Sequence, residues 1–115
     1  MQKADSEPTA KIEQELRRGV LMLAVLSQLR RSQYGYSLRQ ALDGKDMPIE
    51  EGTLYPLLRR MEEQGLLQSE WKIEDGPPRR YYKRSKEGER VYRNLAAKWR
   101  GLVETVEALM EEDKG

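Results

Sequence analysis

The residues with the most chemistry to offer lie in one decapeptide and one basic strand. In Glu-Gly-Thr-Leu-Tyr-Pro-Leu-Leu-Arg-Arg at 51–60, Leu54, Leu57, Leu58 and then Met61 recur at helical spacing, which predicts a helix with a single buried stripe. Gly52 and Thr53 fall where that helix starts, leaving Thr53, Tyr55, Pro56, Arg59 and Arg60 for its other faces. A polar, aromatic N-terminus followed by arginines suits end-on insertion into a DNA major groove. Arginine can bond guanine with two parallel hydrogen bonds, worth ~1–3 kcal/mol of discrimination, so Thr53, Tyr55 and above all Arg59 are the candidate base contacts. Tyr55 would serve equally on a phosphate, which positions a helix without reading sequence. Gly52 either lets the backbone approach DNA, its amide facing a phosphate, or merely satisfies a turn. An ordinary amphipathic helix with a solvated basic face has the same pattern, so the surroundings must decide.

The basic strand is Arg-Arg-Tyr-Tyr-Lys-Arg-Ser-Lys at 79–86, with five positive charges and no negative one. Alternation along a strand separates Arg79, Tyr81 and Lys83 from Arg80, Tyr82 and Arg84, and one set should face DNA. Arg80, at the strand start, would reach a phosphate in either case. The bland alternative is a charged edge that blocks aggregation. Tyr34 and Tyr36 flank Gly35, and the expectation is one ring in the core and one hydroxyl on a phosphate, with the assignment open. Glu50 and Glu51 beside the reading helix would suit its dipole, accept from cytosine, or point away.

Several chemistries are excluded by composition. The 115 residues include no cysteine and no histidine, which removes disulfides, thiol chemistry, the usual zinc ligands and the commonest general base. No carboxylate pair or Tyr/Lys base stands out, so no enzyme, metal or cofactor is expected. The net charge is only +1, but it is segregated: residues 104–113 hold five acids and no base. A basic patch can therefore exist on a nearly neutral molecule. With 36% charged residues and a mean hydropathy of −0.89, the chain fits one small core plus amphipathic helices that need a partner. The most apolar stretch, Val20 to Leu29, falls short of the ~20 residues of a membrane span, so no membrane role is expected and the reading is cytoplasmic.

The elements that must position these residues follow from periodicity. Residues 1–10 are expected to form a flexible arm, and a helix is predicted from Lys11 to about Arg31. A short helix begins near Tyr34 and ends at Asp43-Gly44, with Gly44 as its cap. The reading helix stops at Gly65. Leu67 to Ile73 and Arg79 to Arg84 are strands about a Glu-Asp-Gly-Pro-Pro turn. Ser85 caps a final helix reaching about Glu112, in which Tyr92, Leu95, Trp99, Leu102, Val106 and Leu109 recur at heptad spacing and Val103 and Met110 widen the stripe. The fold class is mainly α with a small β-hairpin: a winged helix-turn-helix over 11–85 and a dimerisation helix over 86–112. Such a helix outreaches its own small domain, so a second copy should cover Leu95, Trp99, Leu102, Val106 and Leu109.

From about Leu16 to Met110 the chain resembles the PadR family of bacterial transcriptional regulators. The resemblance is carried by Leu-Arg-Arg-Gly at 16–19, Tyr-Gly-Tyr-Ser-Leu at 34–38, residues 51–62, Gly-Leu-Leu at 65–67 and Gly-Pro-Pro-Arg-Arg-Tyr-Tyr at 76–82. It implies a homodimeric, ligand-responsive repressor on double-stranded operator DNA. It also implies that position 84 faces the core, hence Tyr82 inward and Arg79, Tyr81 and Lys83 outward. In similar small members a Trp at the place of Trp99 stacks on planar apolar ligands, so Leu95, Trp99 and Val103 are the candidate ligand site; plain dimer core is the alternative. One departure stands out: the family's Leu-Thr before the final helix is Arg84-Ser85 here. Either the Arg84 stem covers the core edge while its head reaches solvent or phosphate, or the wing packs differently. The competing function is a winged helix that docks its basic wing on an acidic protein.

Overall fold

The computed structural model describes residues 7–114. Helix α1, Glu7–Gln28, starts four residues before the apolar periodicity does, so of the expected arm over 1–10 the last four residues are helical. Residues 1–6 lie outside the described residues. The early start has a physical reason: Pro8 sits in the first turn, where a missing N–H costs nothing, and Glu7 favours the positive end of the dipole. From Val25 onward α1 supplies the core residues Val25 and Leu26, with Leu29 just past its end.

Next comes a two-residue strand, β1 (Gln33–Tyr34), where the sequence predicts the start of the second helix near Tyr34. It pairs antiparallel with β3 (Arg79–Arg84), Gln33 opposite Tyr82 and Tyr34 opposite Tyr81. β2 (Leu67–Lys72) pairs with the other side of β3, from Leu67 opposite Arg84 to Lys72 opposite Arg79. The expected hairpin is therefore the wing of a three-stranded sheet ordered β1-β3-β2, in which β1 covers an edge of β3 that would otherwise present unpaired amides.

α2 (Gly35–Asp43) and α3 (Glu51–Glu63) complete the helix-turn-helix. α3 ends in a Schellman motif: the Leu66 amide donates to the Met61 carbonyl and the Gly65 amide to that of Glu62, with Gly65 at φ 82°. Gly44 does not play that part for α2. Its φ is −67°, and Asp46, at φ 63°, takes the left-handed position while the Met47 amide bonds the Leu42 carbonyl. Aspartate tolerates that conformation better than most side chains.

α4 (Lys86–Asp113) is capped as expected, the Ser85 hydroxyl accepting from the Gly88 amide at 2.9 Å and donating to the Gly65 carbonyl at 2.6 Å. The core gathers Leu38 and Leu42 of α2, Leu54, Leu57, Leu58 and Met61 of α3, and Leu66, Leu67 and Tyr82 around the wing. Among the described residues no helix is long and apolar enough to cross a membrane.

Candidate nucleic-acid interface

α3 is placed by what surrounds its first turn. Arg39 on α2 donates Nε to the Ile49 carbonyl at 3.1 Å and Nη1 to Glu51 at 3.4 Å. Glu51 is thereby turned toward α2 while its charge also suits the helix N-terminus. Gly52, Thr53 and Arg59 are exposed on the free face. At Gly52 the backbone φ is not positive, and an added Cβ would meet nothing within 4 Å, so neither a turn nor packing demands glycine there. Tyr55 is half-buried, because its ring and hydroxyl lie on Gly35, where any Cβ would collide with them. Gly35 is thus the residue whose missing side chain lets α2 and α3 close up.

The wing brings a second set of groups beside α3. Tyr34, Gly35, Tyr55, Arg59, Trp71, Arg79, Arg80 and Tyr82 line one cleft of about 340 Å³. Tyr34, Tyr55, Arg59, Arg79 and Arg80, all selected from sequence, converge in it; Gly52, Thr53, Tyr36, Tyr81 and Lys83 lie outside it. Tyr82 points inward and is buried, which raises its phenol pKa against the opposing effect of the nearby Arg80. Neither Tyr34 nor Tyr36 joins the core, contrary to expectation. Tyr34 lies under the Arg79 guanidinium (4.6 Å to the centroid) and beside Tyr81 at 5.3 Å, with Tyr36 beyond it at 6.4 Å. Lys72 sits over the Tyr81 ring at 4.7 Å, so the outer wing face is a row of aromatic rings topped by cations. Lys83 is exposed nearer the base of the wing.

Arg80 and Arg84 are turned the other way. Arg80 donates Nε to Ser69 at 3.0 Å and Nη2 to Glu62 at 3.1 Å, and the Ser69 hydroxyl donates to the second Glu62 oxygen at 2.7 Å. Arg84, its side chain only 11% exposed, turns its head inward and not onto the wing surface. Its head pairs with Glu89 at 2.7 Å, donates to the Leu26 carbonyl at 3.1 Å and stacks on Tyr92. Trp71, 64% exposed on the inner wing face, was not singled out from sequence. The hairpin register holds the signal, since it puts Trp71 opposite Arg80.

On the final helix, Tyr92 and Leu95 pack against the chain's own core, whereas Trp99, Leu102, Val106, Leu109 and Met110 are exposed. Ile12 and Leu16 of α1 are exposed as well. A cleft of about 240 Å³ between α1 and α4 is lined by Val20, Leu23, Ala24, Ser27, Tyr92, Ala96, Trp99 and Arg100, so Trp99 reaches it and Leu95 and Val103 do not. No group of histidines, cysteines or carboxylates suited to a metal occurs among the described residues.

Residues 22–94 match the model of the Transcriptional regulator PadR-like family. The chain is similar to the crystal structure of a PadR family transcriptional regulator from Eggerthella lenta, at 46% identity and a TM-score of 0.86 over 96% of this chain and 98% of that one. A PadR-like transcriptional regulator from Bacillus cereus superposes with a TM-score of 0.74 at 29% identity, covering 84% of this chain and 96% of that one. A transcriptional regulator of Mycobacterium tuberculosis is 42% identical over 55 residues, 48% of this chain and 51% of that protein.

Proposed function

Because this chain belongs to the PadR-like family of transcriptional regulators, which are not enzymes, we propose that it is a homodimeric repressor that binds an inverted-repeat operator. The observation that carries the DNA reading is the cleft between reading helix and wing, where Arg59, Arg79 and Arg80 meet Tyr34, Tyr55 and Trp71. Cations with flat rings beside an exposed helix N-terminus suit a duplex: phosphates on Arg79 and the tyrosine hydroxyls, base edges on Thr53 and Arg59. The Gly52 backbone can approach the duplex closely, and Tyr36, Tyr81 and Lys83 extend the contact to flanking phosphates.

Dimerisation through α4 is supported by the unpartnered row Trp99, Leu102, Val106 and Leu109, and the exposed Ile12 and Leu16 enlarge the surface a second copy would cover. Two-fold symmetry would set half-sites ~34–36 Å apart. An inducer, if the protein has one, would be planar and apolar, entering by Trp99 and the α1–α4 cleft. It would act by changing the angle between the paired α4 helices; a planar aromatic fluorophore that quenches Trp99 yet leaves operator affinity unchanged would refute that route.

Selection from a random duplex library, followed by binding at two salt concentrations, tests the whole reading. Enrichment of an inverted repeat, bound ~10³-fold or more over a scrambled duplex, is the expected result. No enrichment would overturn it in favour of docking on an acidic protein.

A further inference from the structure

We propose that Arg80 is a positioning residue of this interface, a strut that with Glu62 and Ser69 sets the angle between wing and reading helix, and not one of the phosphate contacts. This rests on the reading of the face as DNA-binding. The three side chains come from three elements: Glu62 from the last turn of α3, Ser69 from β2 and Arg80 from β3. Their hydrogen bonds close a ring in which both Glu62 oxygens accept and the Ser69 hydroxyl donates once and accepts once.

The ring runs against the sheet's own pairing. Arg80 stands opposite Trp71, and Ser69 opposite Tyr82, so Arg80 leans diagonally down the strands to reach Ser69 and Glu62. On the way its guanidinium lies within 5.8 Å of the Trp71 ring centroid and 5.7 Å of that of Tyr82. Glu62 supplies the motive. A carboxylate in the last helical turn faces the negative end of the dipole and needs a cation. Arg59 and Arg79 differ, for neither has an acidic partner among the described residues. They are free for DNA where Arg80 is already engaged.

The two roles predict opposite responses when Glu62 is neutralised. If Arg80 is a strut, Glu62→Gln loosens the wing and weakens operator binding about tenfold, as a coupled pair of this kind would. Arg80→Gln gives a similar loss, and the double variant is no worse than either alone. In all three the dependence of log affinity on log salt keeps the parent slope, because no phosphate contact is lost. Arg80→Lys does not rescue, since one ammonium cannot reproduce the forked bonds to Ser69 and Glu62. If Arg80 is instead a phosphate contact, Glu62→Gln frees it and tightens binding, and Arg80→Gln lowers the slope by about 1.

The experiment is operator titration of the full chain and these variants across a salt series, with unfolding of each free protein measured alongside. Ser69→Ala, which removes only the bridging hydroxyl, stands in should Glu62→Gln not fold, and the strut predicts the same weakening at unchanged slope. Tighter binding or a reduced slope overturns the proposal. So does the absence of any coupling between Glu62 and Arg80 in the unfolding cycle, a result that needs no DNA and leaves the DNA reading standing. A parent protein that enriches no duplex overturns the DNA reading itself, whatever that coupling is.

Discussion

At the residue scale, two positions separate DNA binding from folding. Gly52 has ordinary backbone and open space around it, so Gly52→Ala should gain helix propensity, up to ~1 kcal/mol, and unfold at slightly higher temperature. If its backbone approaches DNA, the same variant loses operator affinity; a melt and a titration on one preparation read both, and unchanged affinity would leave glycine there without a role. Arg84 tests the opposite kind of site. Its Nε is buried without a hydrogen-bond partner among the described residues, so packing on Tyr92 holds the residue alongside its ion pair with Glu89. Glu89, 37% exposed, keeps its partner Arg93, so Arg84→Leu should stay within ~1 kcal/mol of the parent. Arg84→Ala should lose about 2 kcal/mol, because nothing replaces the stem. Denaturant melts at a single protein concentration decide, and an equal loss for both would show the polar contacts of the Arg84 head to be what stabilises. Tyr82 inward was legible from strand alternation together with the family's core-facing position 84. The destination of Arg84 was not, because it depends on where the end of α1 and Glu89 come to lie, and neither contact is local in sequence.

At the element scale, the start of α4 is where three segments meet. The Ser85 amide donates to the Leu66 carbonyl, and the same carbonyl lies against Gly88, where a Cβ would run into backbone that cannot swing aside. Gly88→Ala would gain propensity in isolation, yet overpacking costs ~1–3 kcal/mol, so packing wins and the variant should melt lower. A rise in melting temperature would show that the loop at Leu66 yields. The first turn also carries a pH dependence. A hydrogen bond from Arg90 holds Glu87 below the usual carboxylate range; a bond from Arg93 does so for Glu89, against partial desolvation and with help from Arg84. Folded pKa values below the unfolded ones mean that this stabilisation is complete above the unfolded value, about 4.3, and fades as pH falls through the folded values. Thermal melts between pH 6 and pH 3 should therefore lose less stability in a Glu87→Gln, Glu89→Gln variant than in the parent. Ser85 and its acidic first turn were legible as a cap, and Gly65 as a helix stop, since both are local signals. The close approach at Gly88 and the strand at Gln33–Tyr34 were not: each is defined by a partner about twenty to fifty residues away.

At the scale of the whole molecule, α4 explains why so charged a chain exposes so much apolar surface. Its 28 residues rise ~1.5 Å each, and the molecule extends 58 Å along its longest axis against 23 Å along its shortest. The domain covers only the first turns of that helix, through Tyr92 and Leu95, and leaves Leu102 at 60% and Leu109 at 59% exposed. Heptad spacing made the apolar row legible in sequence, but not where the chain's own core stops using it; that point, near Trp99, is set by the size of the domain. On α1, Leu16 is a further exposed apolar residue, at 72%. If a second copy is what covers this surface, Leu102→Glu with Val106→Glu places four carboxylates at a two-fold seam and should give a folded monomer by sedimentation, since neither side chain supports the core. Each monomer then holds one half-site, and the gain from linking two reading heads, ~10²–10⁴ in affinity, disappears. The variant should bind the full operator no better than the parent binds an isolated half-site. A variant that remains dimeric would move the interface off α4, and with it the route by which anything bound at Trp99 could change the spacing of the reading helices.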